Sequence, residues 1–567
     1  MIVINSDTLI SIEQNFRVSA GPGAGKTYWL VEHIKNVLHH SKRLGRIRKV
    51  ACITYTNIAV ETILKGLGTT TEQVEVSTIH SFLYKNIVKP YASFLVADYG
   101  LNVAEMDGHD DIVLSNYSFL KEWKANTKQQ RITDDNLLVK AFKAAKWKFD
   151  KSGDLVIKTD YPHKIGTYSI RSNSYLEYKK MTWRKGIIHH DDVLFFSYQL
   201  IKKYPFIIQV LQSKFPYFFV DEFQDTNPIQ VEILRLIGEK ETVVGIIGDE
   251  AQSIYGFQGA EPKQFHSFML PNIEDYEMAD NRRSTNQIID LLNLVRLDFK
   301  QNKHRNEDGE IPAIIVGEMD AALRKAKEMS NNEPVYSLSR NNITSNAMKR
   351  EVIGTCVNDK LIEELSAKDK PSSGNKYRSK VVIACLKATE FAHENKFKDA
   401  IKELERIFKD KNDKNKGKKE ALRHICLLLK KYNDFKDKSM FDFHFIVKSE
   451  IRSDISKLAS GAAKTFYEGH SYQELALCVN IAEDVSRHKT IHKAKGDEFE
   501  NVLVVLKEES DLSFLLKPNL NTKEEQRINY VAVSRAIKRL FITIPSLPTG
   551  DLSILEGVVK IMDDKIH

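Results

Sequence analysis

The segment that most restricts the fold is a glycine-rich stretch, which reads AGPGAGKT at residues 20–27. A short apolar run, Arg17–Ala20, leads into it, and a helix-like segment, Tyr28–His39, follows it. Glycines let the backbone curl until several N–H groups point at one spot, and a helix start adds a dipole that favours an anion. A strand, a glycine loop and a helix in this order predict an α/β layer with a phosphate-binding loop. The alternative is a glycine-rich turn with an incidental lysine.

The loop pattern gives each position an expected role. Lys26 is expected to reach the β and γ phosphates of a nucleotide, and the Thr27 hydroxyl is expected to bind Mg²⁺. The usual pattern starts with glycine where this chain has Ala20, a mild departure because three glycines keep the loop flexible. The expected ATP-binding positions of the loop are Ala20, Gly21, Pro22, Gly23, Ala24, Gly25, Lys26 and Thr27.

A second acidic site follows another apolar run. Residues 216–226 read PYFFVDEFQDT, so the run Tyr217–Val220 ends in Asp221 and Glu222. The carboxyl end of a strand is where α/β sheets bind ligands. Asp221 fits the acid that holds Mg²⁺, and Glu222 fits the residue that orients the attacking water. The alternative is a solvated acidic turn after a core strand.

The order of apolar runs predicts the fold class. Runs rich in Val, Ile or Phe without polar alternation are typical of parallel strands that helices cover on both faces. Helix-like segments such as Ile229–Ile237 lie between them, which favours doubly wound α/β layers. The runs are Arg17–Ala20, Lys49–Thr54, Tyr217–Val220, Thr242–Ile247, Val502–Leu506 and Leu540–Ile544.

Two regions interrupt this rhythm. Residues 86–200 are aromatic-rich and mixed, with a largely helical pattern. Residues 350–480 also have a mostly helical pattern, in which Phe397, Ile401, Leu404 and Phe408 recur at helical spacing. We expect both regions to be inserted accessory domains.

The composition excludes some classes of protein but does not identify the function. Lys plus Arg number 84 and Asp plus Glu 76, so the formal net charge over 567 residues is +8, which allows local basic grooves. The cysteines form no CxxC pair and the N-terminus has no signal-peptide pattern, which indicates reduced thiols in the cytoplasm. No run approaches the roughly 20 apolar residues that cross a bilayer, so no membrane partner is expected. The cysteines are Cys52, Cys356, Cys385, Cys426 and Cys478.

The string DEFQDT at residues 221–226 resembles motif II of the UvrD-type superfamily 1 helicases, and further strings follow in the family's order. AGPGAGKT resembles motif I, ITYTNIAVETI (53–63) resembles motif Ia, and STIHSF (77–82) resembles the next DNA-contacting motif. IGDEAQSIYGFQGA (247–260) resembles motif III, and ADNRRST (279–285) resembles motif IV. TIHKAKGDEFENV (490–502) resembles motif V, and INYVAVSRA (528–536) resembles motif VI.

This resemblance implies two RecA-like P-loop motor domains with two largely helical accessory domains. The first motor domain is expected at residues 1–85 and 201–279, with the insert at 86–200. The second motor domain is expected at residues 280–349 and 481–567, with the insert at 350–480. ATP is expected in the cleft between the motors, and DNA across their top.

The resemblance also assigns catalytic roles. Arg283 and Arg535 match arginine fingers, which stabilise the charge of a phosphoryl-transfer transition state from the second motor domain. Gln252 matches the γ-phosphate sensor, and Glu498 matches an acid that contacts the ribose. Each arginine could alone be a surface ion pair.

The family's DNA contacts map onto six residues. Phe82, Tyr255 and Phe257 match aromatic positions that face single-stranded DNA, where rings stack on bases without sequence preference. Thr56, Asn57 and His80 match backbone-contacting positions. Without the resemblance, Phe82 and Phe257 are as readily core aromatics.

Three positions depart from the family pattern. A glutamine upstream of the loop usually recognises adenine, and the one candidate, Gln14, lies closer to the loop than usual. The tyrosine that usually precedes the motif IV arginine is Arg282 here, which either stacks on adenine through its guanidinium plane or is solvated. The arginine common in motif III is Gln258.

The resemblance implies an ATP-hydrolysing helicase that needs ATP and Mg²⁺ and moves 3′-to-5′ on single-stranded or forked DNA. The compact build is similar to the helicase-like subunit of Gabija antiphage systems, which works with a separate nuclease partner. Two alternatives stay open: a DNA-sensing ATPase subunit that regulates a nuclease with little unwinding, and a stand-alone DNA-repair helicase.

Overall fold

The computed structural model describes residues 1–106, 113–114, 117–159, 164–165, 167–350, 358–372, 374–408, 414–481 and 486–563. The chain divides into two compact units. The first contains Met1–Asp308 and Pro518–Tyr530, and the second contains Gly309–Lys517 and Val531–His567. Of the five cysteines, Cys356 lies outside the described residues.

The first unit is built on a parallel sheet that has seven strands in the described residues. Its phosphate-loop strand, Phe16–Ala20, is flanked by Glu274–Met278 and Val243–Gly248, and all pairings in the sheet are parallel. In spatial order the strands are Ile2–Val3, Glu274–Met278, Phe16–Ala20, Val243–Gly248, Tyr217–Val220, Val50–Thr54 and Val74–Thr78. The predicted runs at 17–20, 49–54, 217–220 and 242–247 are therefore confirmed as strands.

Both faces of this sheet are buried, as the unbroken apolar runs predict. On strand Val50–Thr54, Val50 and Cys52 join the core on one face, whereas Ala51 and Ile53 join the core on the other. Helices cover each face because successive side chains of a strand point in opposite directions. The helices of this layer are Lys26–His40, Asn57–Leu67, Ile79–Leu83, Lys89–Tyr91, Val96–Tyr99, His190–Lys203, Phe206–Lys214, Pro228–Gly238, Gln264–Ser267 and Asn286–Val295.

The first inserted region has its own core, in which Phe119, Trp123, Phe142 and Tyr178 pack together. Its helices are Tyr117–Asn126, Asp135–Ala144 and Ser172–Trp183, and its antiparallel strand pairs are Ala145–Phe149 with Leu155–Thr159 and Lys164–Ile165 with Tyr168–Ser169. The largely helical prediction is confirmed, with a hairpin that the sequence pattern did not reveal.

The second unit has its own parallel sheet, of six strands in the described residues. In spatial order they are His488–Thr490, Val335–Ser339, Phe499–Val505, Ala536–Ile544, Ala313–Val316 and Lys560–Asp563. Runs 502–506 and 540–544 are confirmed within two of these strands. The helices that lie between these strands in the chain are Met319–Met329, Asn342–Arg350, Ser513–Leu516 and Glu524–Val533. The last of them includes the boundary between the two units, which falls after Tyr530.

The second inserted region is mostly helical in its described residues and has a separate core that includes Val382, Leu386, Leu404 and Phe443. Its helices are Leu361–Lys368, Arg378–His393, Phe397–Glu405, Lys414–Lys430, Tyr432–Phe435, Met440–Ile446, Ala462–Gly469 and Tyr472–Leu477. In the part of the chain that the structure describes, no helix is both long and apolar enough to span a bilayer.

The first unit extends further along the chain than the sequence indicated. We expected residues 280–308 in the second motor domain, but they belong to the first unit. Strand Asp280–Asn281 follows the sheet strand Glu274–Met278 almost directly and pairs with Asn302–Lys303. The Gln301 side chain then donates a hydrogen bond to the Pro22 carbonyl at 2.8 Å, which anchors the segment on the phosphate loop.

Candidate active site

The phosphate loop lies where the sequence placed it, between strand Phe16–Ala20 and helix Lys26–His40. Gly23 and Gly25 have φ angles of 74° and 82°, a left-handed conformation that favours glycine. Gly25 precedes the helix without a side-chain cap, and the first turn holds no acidic residue, so the helix start suits an anion. The Lys26 ammonium lies 3.3 Å from the Ala20 carbonyl oxygen, folded back over the loop.

Residues that follow strand Glu274–Met278 in the chain cover the phosphate loop. A Cβ atom on Gly23 would lie 2.6 Å from Asn281 Oδ1 and 2.9 Å from Arg283 Cβ. A Cβ atom on Gly21 would lie 2.4 Å from Gln301 Nε2. The Arg282 amide also donates to the Gly23 carbonyl at 2.9 Å. A side chain at either position would require the covering side chains to shift, because they occupy the space of a methyl group.

The paired acids follow strand Tyr217–Val220, two strands from the loop strand. Asp221 is buried, and its carboxylate accepts the Glu222 amide at 3.0 Å. Glu222 has φ 54° and ψ 41°, a strained conformation for a residue with a side chain. Its carboxylate accepts a hydrogen bond from Gln224 Nε2. The turn and the Gln224 side chain therefore hold the Glu222 carboxylate in place.

Gln252 follows the strand between the loop strand and the acid strand. It is buried, and its Nε2 donates to Asp249 Oδ2 at 2.6 Å. The Asp249 amide in turn donates to Gln224 Oε1 at 3.0 Å. Glu222, Gln224, Asp249 and Gln252 thus form one hydrogen-bonded series along the carboxyl edge of the sheet.

The two predicted arginine fingers belong to different units. Arg283 lies in the first unit, against the phosphate loop, so its expected origin in a second motor domain is corrected. The physical reason is that Asn281 Oδ1 accepts the Arg283 amide at 2.9 Å and holds it in the turn over Gly23. Arg535 lies in the second unit, where its buried guanidinium donates to the Val531 carbonyl at 3.1 Å. Glu498 is an exposed residue of that unit.

The adenine positions give two different results. Gln14 does not lie at the loop, because its amide donates to the Asn272 carbonyl at 3.3 Å at the amino end of strand Phe16–Ala20. Five extended residues, about 16 Å, separate that end from the loop, so Gln14 is excluded as an adenine contact. Arg282 instead forms an ion pair with Asp7 at 2.9 Å.

A groove of about 720 Å³ runs between the motor layer and the inserted region, all within the first unit. Thr56, Asn57 and His80, for which the motif resemblance implies contacts with the DNA backbone, line this groove. The Thr56 hydroxyl oxygen accepts the Ala59 amide at 3.2 Å and caps helix Asn57–Leu67. Burial and the neighbouring His190 lower the pKa of His80 to about 4. His80 is therefore neutral near pH 7. It could form a hydrogen bond with a phosphate but not an ion pair.

The three predicted stacking aromatics divide by exposure. Phe82 is 0% exposed and packs edge-on against Phe218 with ring centroids 5.0 Å apart, so its predicted DNA contact is wrong. Tyr255 is 7% exposed and stacks on Tyr55 with ring centroids 4.5 Å apart, so one face of its ring is covered and its DNA contact stays a prediction. Phe257 is 60% exposed and remains suited to stacking.

The inserted region supports the loop that carries Phe257. Lys146, on the hairpin strand Ala145–Phe149, donates a hydrogen bond to the Phe257 carbonyl. On the motor side the Tyr55 hydroxyl bonds to Gln258, and the Gly256 amide donates to Glu524 at 2.9 Å. Gln258, which stands where the family has an arginine, thus accepts a hydrogen bond from Tyr55.

Sequence reasoning missed several residues of this site. Asn281 and Gln224 stand inside the quoted strings ADNRRST and DEFQDT, so a signal for them existed. Gln301 had none, because it is far along the chain from the loop that it covers. Arg527, one residue before the quoted motif VI string, donates to the Ser253 carbonyl at 2.7 Å. Among the described residues no three His, Cys, Asp or Glu side chains cluster as a metal site.

Known proteins with similar sequences cover both halves of the chain. The UvrD/REP helicase N-terminal domain matches residues 5–272, and the UvrD-like helicase C-terminal domain matches residues 362–546. The Gabija protein GajB of Bacillus cereus is 27% identical over 335 residues, 49% of this chain and 46% of that protein. The ATP-dependent DNA helicase PcrA of Staphylococcus aureus is 26% identical over 320 residues, 55% of this chain and 42% of that protein.

PcrA of Bacillus subtilis is 25% identical over 322 residues, 55% of this chain and 40% of that protein. The matched part spans less than half the length of each of these three relatives. The two family models together match most of the chain, and the phosphate loop, Glu222 and Gln252 follow neighbouring strands of one parallel sheet. The chain therefore belongs to the UvrD/Rep-type helicase family.

Proposed function

We propose that this chain hydrolyses ATP and uses the energy to move 3′-to-5′ along single-stranded DNA and to unwind duplex ahead of it. One observation carries the proposal: the hydrogen-bonded series from Glu222 to Gln252 lies at the same sheet edge as the phosphate loop. Phosphoryl transfer needs positioned charges more than covalent help, and this series positions them before a nucleotide binds.

The roles follow from the geometry and the family. The loop amides and Lys26 hold the phosphates, and Glu222 orients the attacking water. Thr27 and Asp221 offer the oxygen ligands that Mg²⁺ prefers, and the ion would offset phosphate charge. Arg283, held beside Gly23, stabilises the charge that develops in the transition state. The roles of Arg535 and Glu498 rest on the motif resemblance alone.

The groove is the proposed DNA track. Phe257 supplies an exposed ring for one base, and Thr56, Asn57 and His80 supply polar contacts to the backbone. Gln252 of the hydrogen-bonded series and Phe257 of the proposed track lie five residues apart in the chain. A movement of the Gln252 side chain on hydrolysis could therefore be transmitted to Phe257 through this short segment.

For the biological setting we propose antiphage defence with a separate nuclease partner, in the cytoplasm. The similarity to a Gabija protein supports it, and the similarity to PcrA supports a stand-alone repair helicase as the second candidate. A DNA-sensing ATPase that regulates its partner with little unwinding fits the same catalytic set.

The ATPase assignment is tested by two substitutions and a control. Lys26→Ala should abolish DNA-stimulated ATP hydrolysis, because the charge that clamps the phosphates is lost. Glu222→Gln should keep ATP binding and stop hydrolysis. Lys35→Ala, on the same helix but paired with Glu32, should change neither. Undiminished turnover by Lys26→Ala would refute the phosphate-loop assignment.

Unwinding is tested by strand displacement on duplexes with a 3′ or a 5′ single-stranded tail, with and without the product of a neighbouring nuclease gene. We expect displacement only from the 3′-tailed duplex. Displacement by the purified chain alone would count against a pure sensor. Displacement only from the 5′ tail would refute the proposed direction.

A further inference from the structure

The buried ion pair between Arg296 and Asp249 belongs to no quoted motif. Arg296 Nη1 donates to Asp249 Oδ1 at 2.6 Å, and both side chains are buried. Burial works against the charge of Arg296, but the Asp249 carboxylate raises its pKa above the ordinary value. Arg296 therefore stays charged inside the first unit.

Asp249 uses both carboxylate oxygens at the catalytic edge. Oδ1 accepts the Ala251 amide at 3.1 Å as well as the guanidinium, and Oδ2 accepts Gln252 Nε2 at 2.6 Å. An ionised carboxylate can only accept hydrogen bonds. The Gln252 amide must therefore turn its NH₂ group toward Asp249, which fixes the direction of its carbonyl oxygen.

Arg296 holds the same carboxylate through its other oxygen. Its Nη1 donates to Oδ1 while Gln252 Nε2 donates to Oδ2, so the guanidinium fixes the plane of the carboxylate to which the Gln252 amide is bonded. The orientation of the sensor amide thus depends on a residue that lies outside the sensor motif.

The segment that carries Arg296 also contacts the phosphate loop. The guanidinium lies over the Phe299 ring, 4.6 Å from its centroid. A Cβ atom on Gly21 would lie 2.8 Å from Phe299 Cε1, and Gln301 Nε2 donates to the Pro22 carbonyl. Residues 296–301 therefore join the loop that binds phosphates to the side chain that senses the last of them.

We propose that Arg296 is a positioning residue for ATP hydrolysis, which acts through Asp249 to hold the Gln252 amide in its hydrolysis-competent orientation. This inference rests on the proposed ATPase function. It goes beyond the family motifs because it gives a catalytic consequence to an arginine at the end of helix Asn286–Val295.

The test is a double-mutant comparison of ATP hydrolysis at saturating DNA. Arg296→Lys keeps a positive charge but loses the planar fork, and we expect kcat to fall about tenfold while KM changes less than about threefold. In a Gln252→Ala background the same substitution should cause no further loss, because its effect passes through that side chain. Asp249→Asn should behave like Arg296→Lys, and it serves if the lysine variant does not fold.

Arg17→Lys is the matched control. Arg17 is another buried arginine of the same sheet, paired with Asp275 at 2.7 Å at the amino end of its strand. The Arg17→Lys substitution should lower the melting temperature and leave kcat unchanged at a temperature where the protein is folded.

Three results would overturn the inference while leaving the proposed function intact. Losses that multiply in the double variant would show that Arg296 supports the fold alone, and a rise in KM with unchanged kcat would show a binding role. A Gln252→Ala protein with wild-type kcat would remove the side chain through which Arg296 acts. Wild-type protein that hydrolyses no ATP would overturn the proposed function itself, and the inference with it.

Discussion

Phe82 and Phe257 show that one residue type takes opposite roles in the same unit. Phe82 lies in helix Ile79–Leu83, and its ring enters the core beside Phe215 and Phe218. Phe257 lies in a short turn that polar contacts hold from both sides, so its ring stays at the surface. Burial, rather than motif membership, decides which ring can meet a base.

Phe257→Ala is expected to weaken single-stranded DNA binding by about 1–3 kcal/mol, roughly 5- to 150-fold, because one stacked base is lost. Its melting temperature should match that of the wild type, since the ring contributes little to the core. Fluorescence anisotropy with a labelled oligothymidine measures the affinity. Phe82→Leu is the control: it should lower the melting temperature without changing the affinity of the folded protein. Unchanged binding by Phe257→Ala would remove Phe257 from the track.

Asp191 gives the groove a pH-dependent property. Burial raises its pKa to about 6, against the opposing effect of Lys179. In the unfolded chain the same group titrates near pH 4. The folded state therefore binds the proton more tightly, and the stabilising contribution of the protonated form, complete below about pH 4, is lost as the pH rises through 6.

Asp191→Asn should consequently stabilise the protein at pH 8 by about 2 kcal/mol relative to its effect at pH 4. The asparagine oxygen can still accept the Trp147 amide, which Asp191 accepts at 2.7 Å. The measurement is the difference in melting temperature between variant and wild type from pH 4 to pH 8. A difference that does not grow with pH would contradict the raised pKa.

At the scale of elements, the phosphate loop combines a local and a distant requirement. The sequence predicts its left-handed glycines, because the strand, the loop and the helix are neighbours in the chain. It does not predict the cover of Asn281 and Gln301, which come from a segment more than 250 residues away. A loop of the same sequence without that cover would tolerate a methyl group more readily.

Gly23→Ala should reduce the affinity for ATP and Mg²⁺ by about tenfold or more, because left-handed strain of roughly 1 kcal/mol adds to a collision with Asn281. Isothermal titration calorimetry with a non-hydrolysable ATP analogue measures the affinity. Gly153→Ala is the matched control, since Gly153 has a similar φ of 83° and no atom within 4 Å of an added Cβ. It should lower stability slightly and leave nucleotide affinity unchanged. Equal effects of the two substitutions would show that strain alone matters.

At the scale of the whole molecule, a net charge of +8 among 160 formally charged residues leaves DNA binding to local groups. Lys143 is exposed and lines the groove, whereas Lys151 is exposed in the turn of the hairpin outside it. Each phosphate that a lysine neutralises on a single strand contributes about 0.7 to the slope of log affinity against log salt.

Lys143→Ala should therefore reduce that slope by about 0.7, and Lys151→Ala should leave it unchanged. DNA affinity measured across a series of NaCl concentrations gives both slopes. An identical slope for wild type and Lys143→Ala would place the strand elsewhere.

Sequence patterns alone predicted the glycine-rich loop, the paired acids and the parallel strands that carry them. These features are local, because a strand, its turn and the next helix follow one another within a few residues. The sequence also indicated both inserted regions, through the change in apolar spacing. The resemblance to the family then predicted roles for residues that local patterns do not single out, such as Gln252 and Arg535.

The packing of the fold shows which of those side chains are buried and where each one lies. It placed Phe82 and Tyr255 in packed surroundings, moved Gln14 to the far end of its strand, and joined Arg283 to the first unit. It also brought Arg296 to Asp249, although 47 residues separate them in the chain. Burial and long-range pairing depend on how whole layers pack, and that information is spread over the entire chain instead of residing in any one motif.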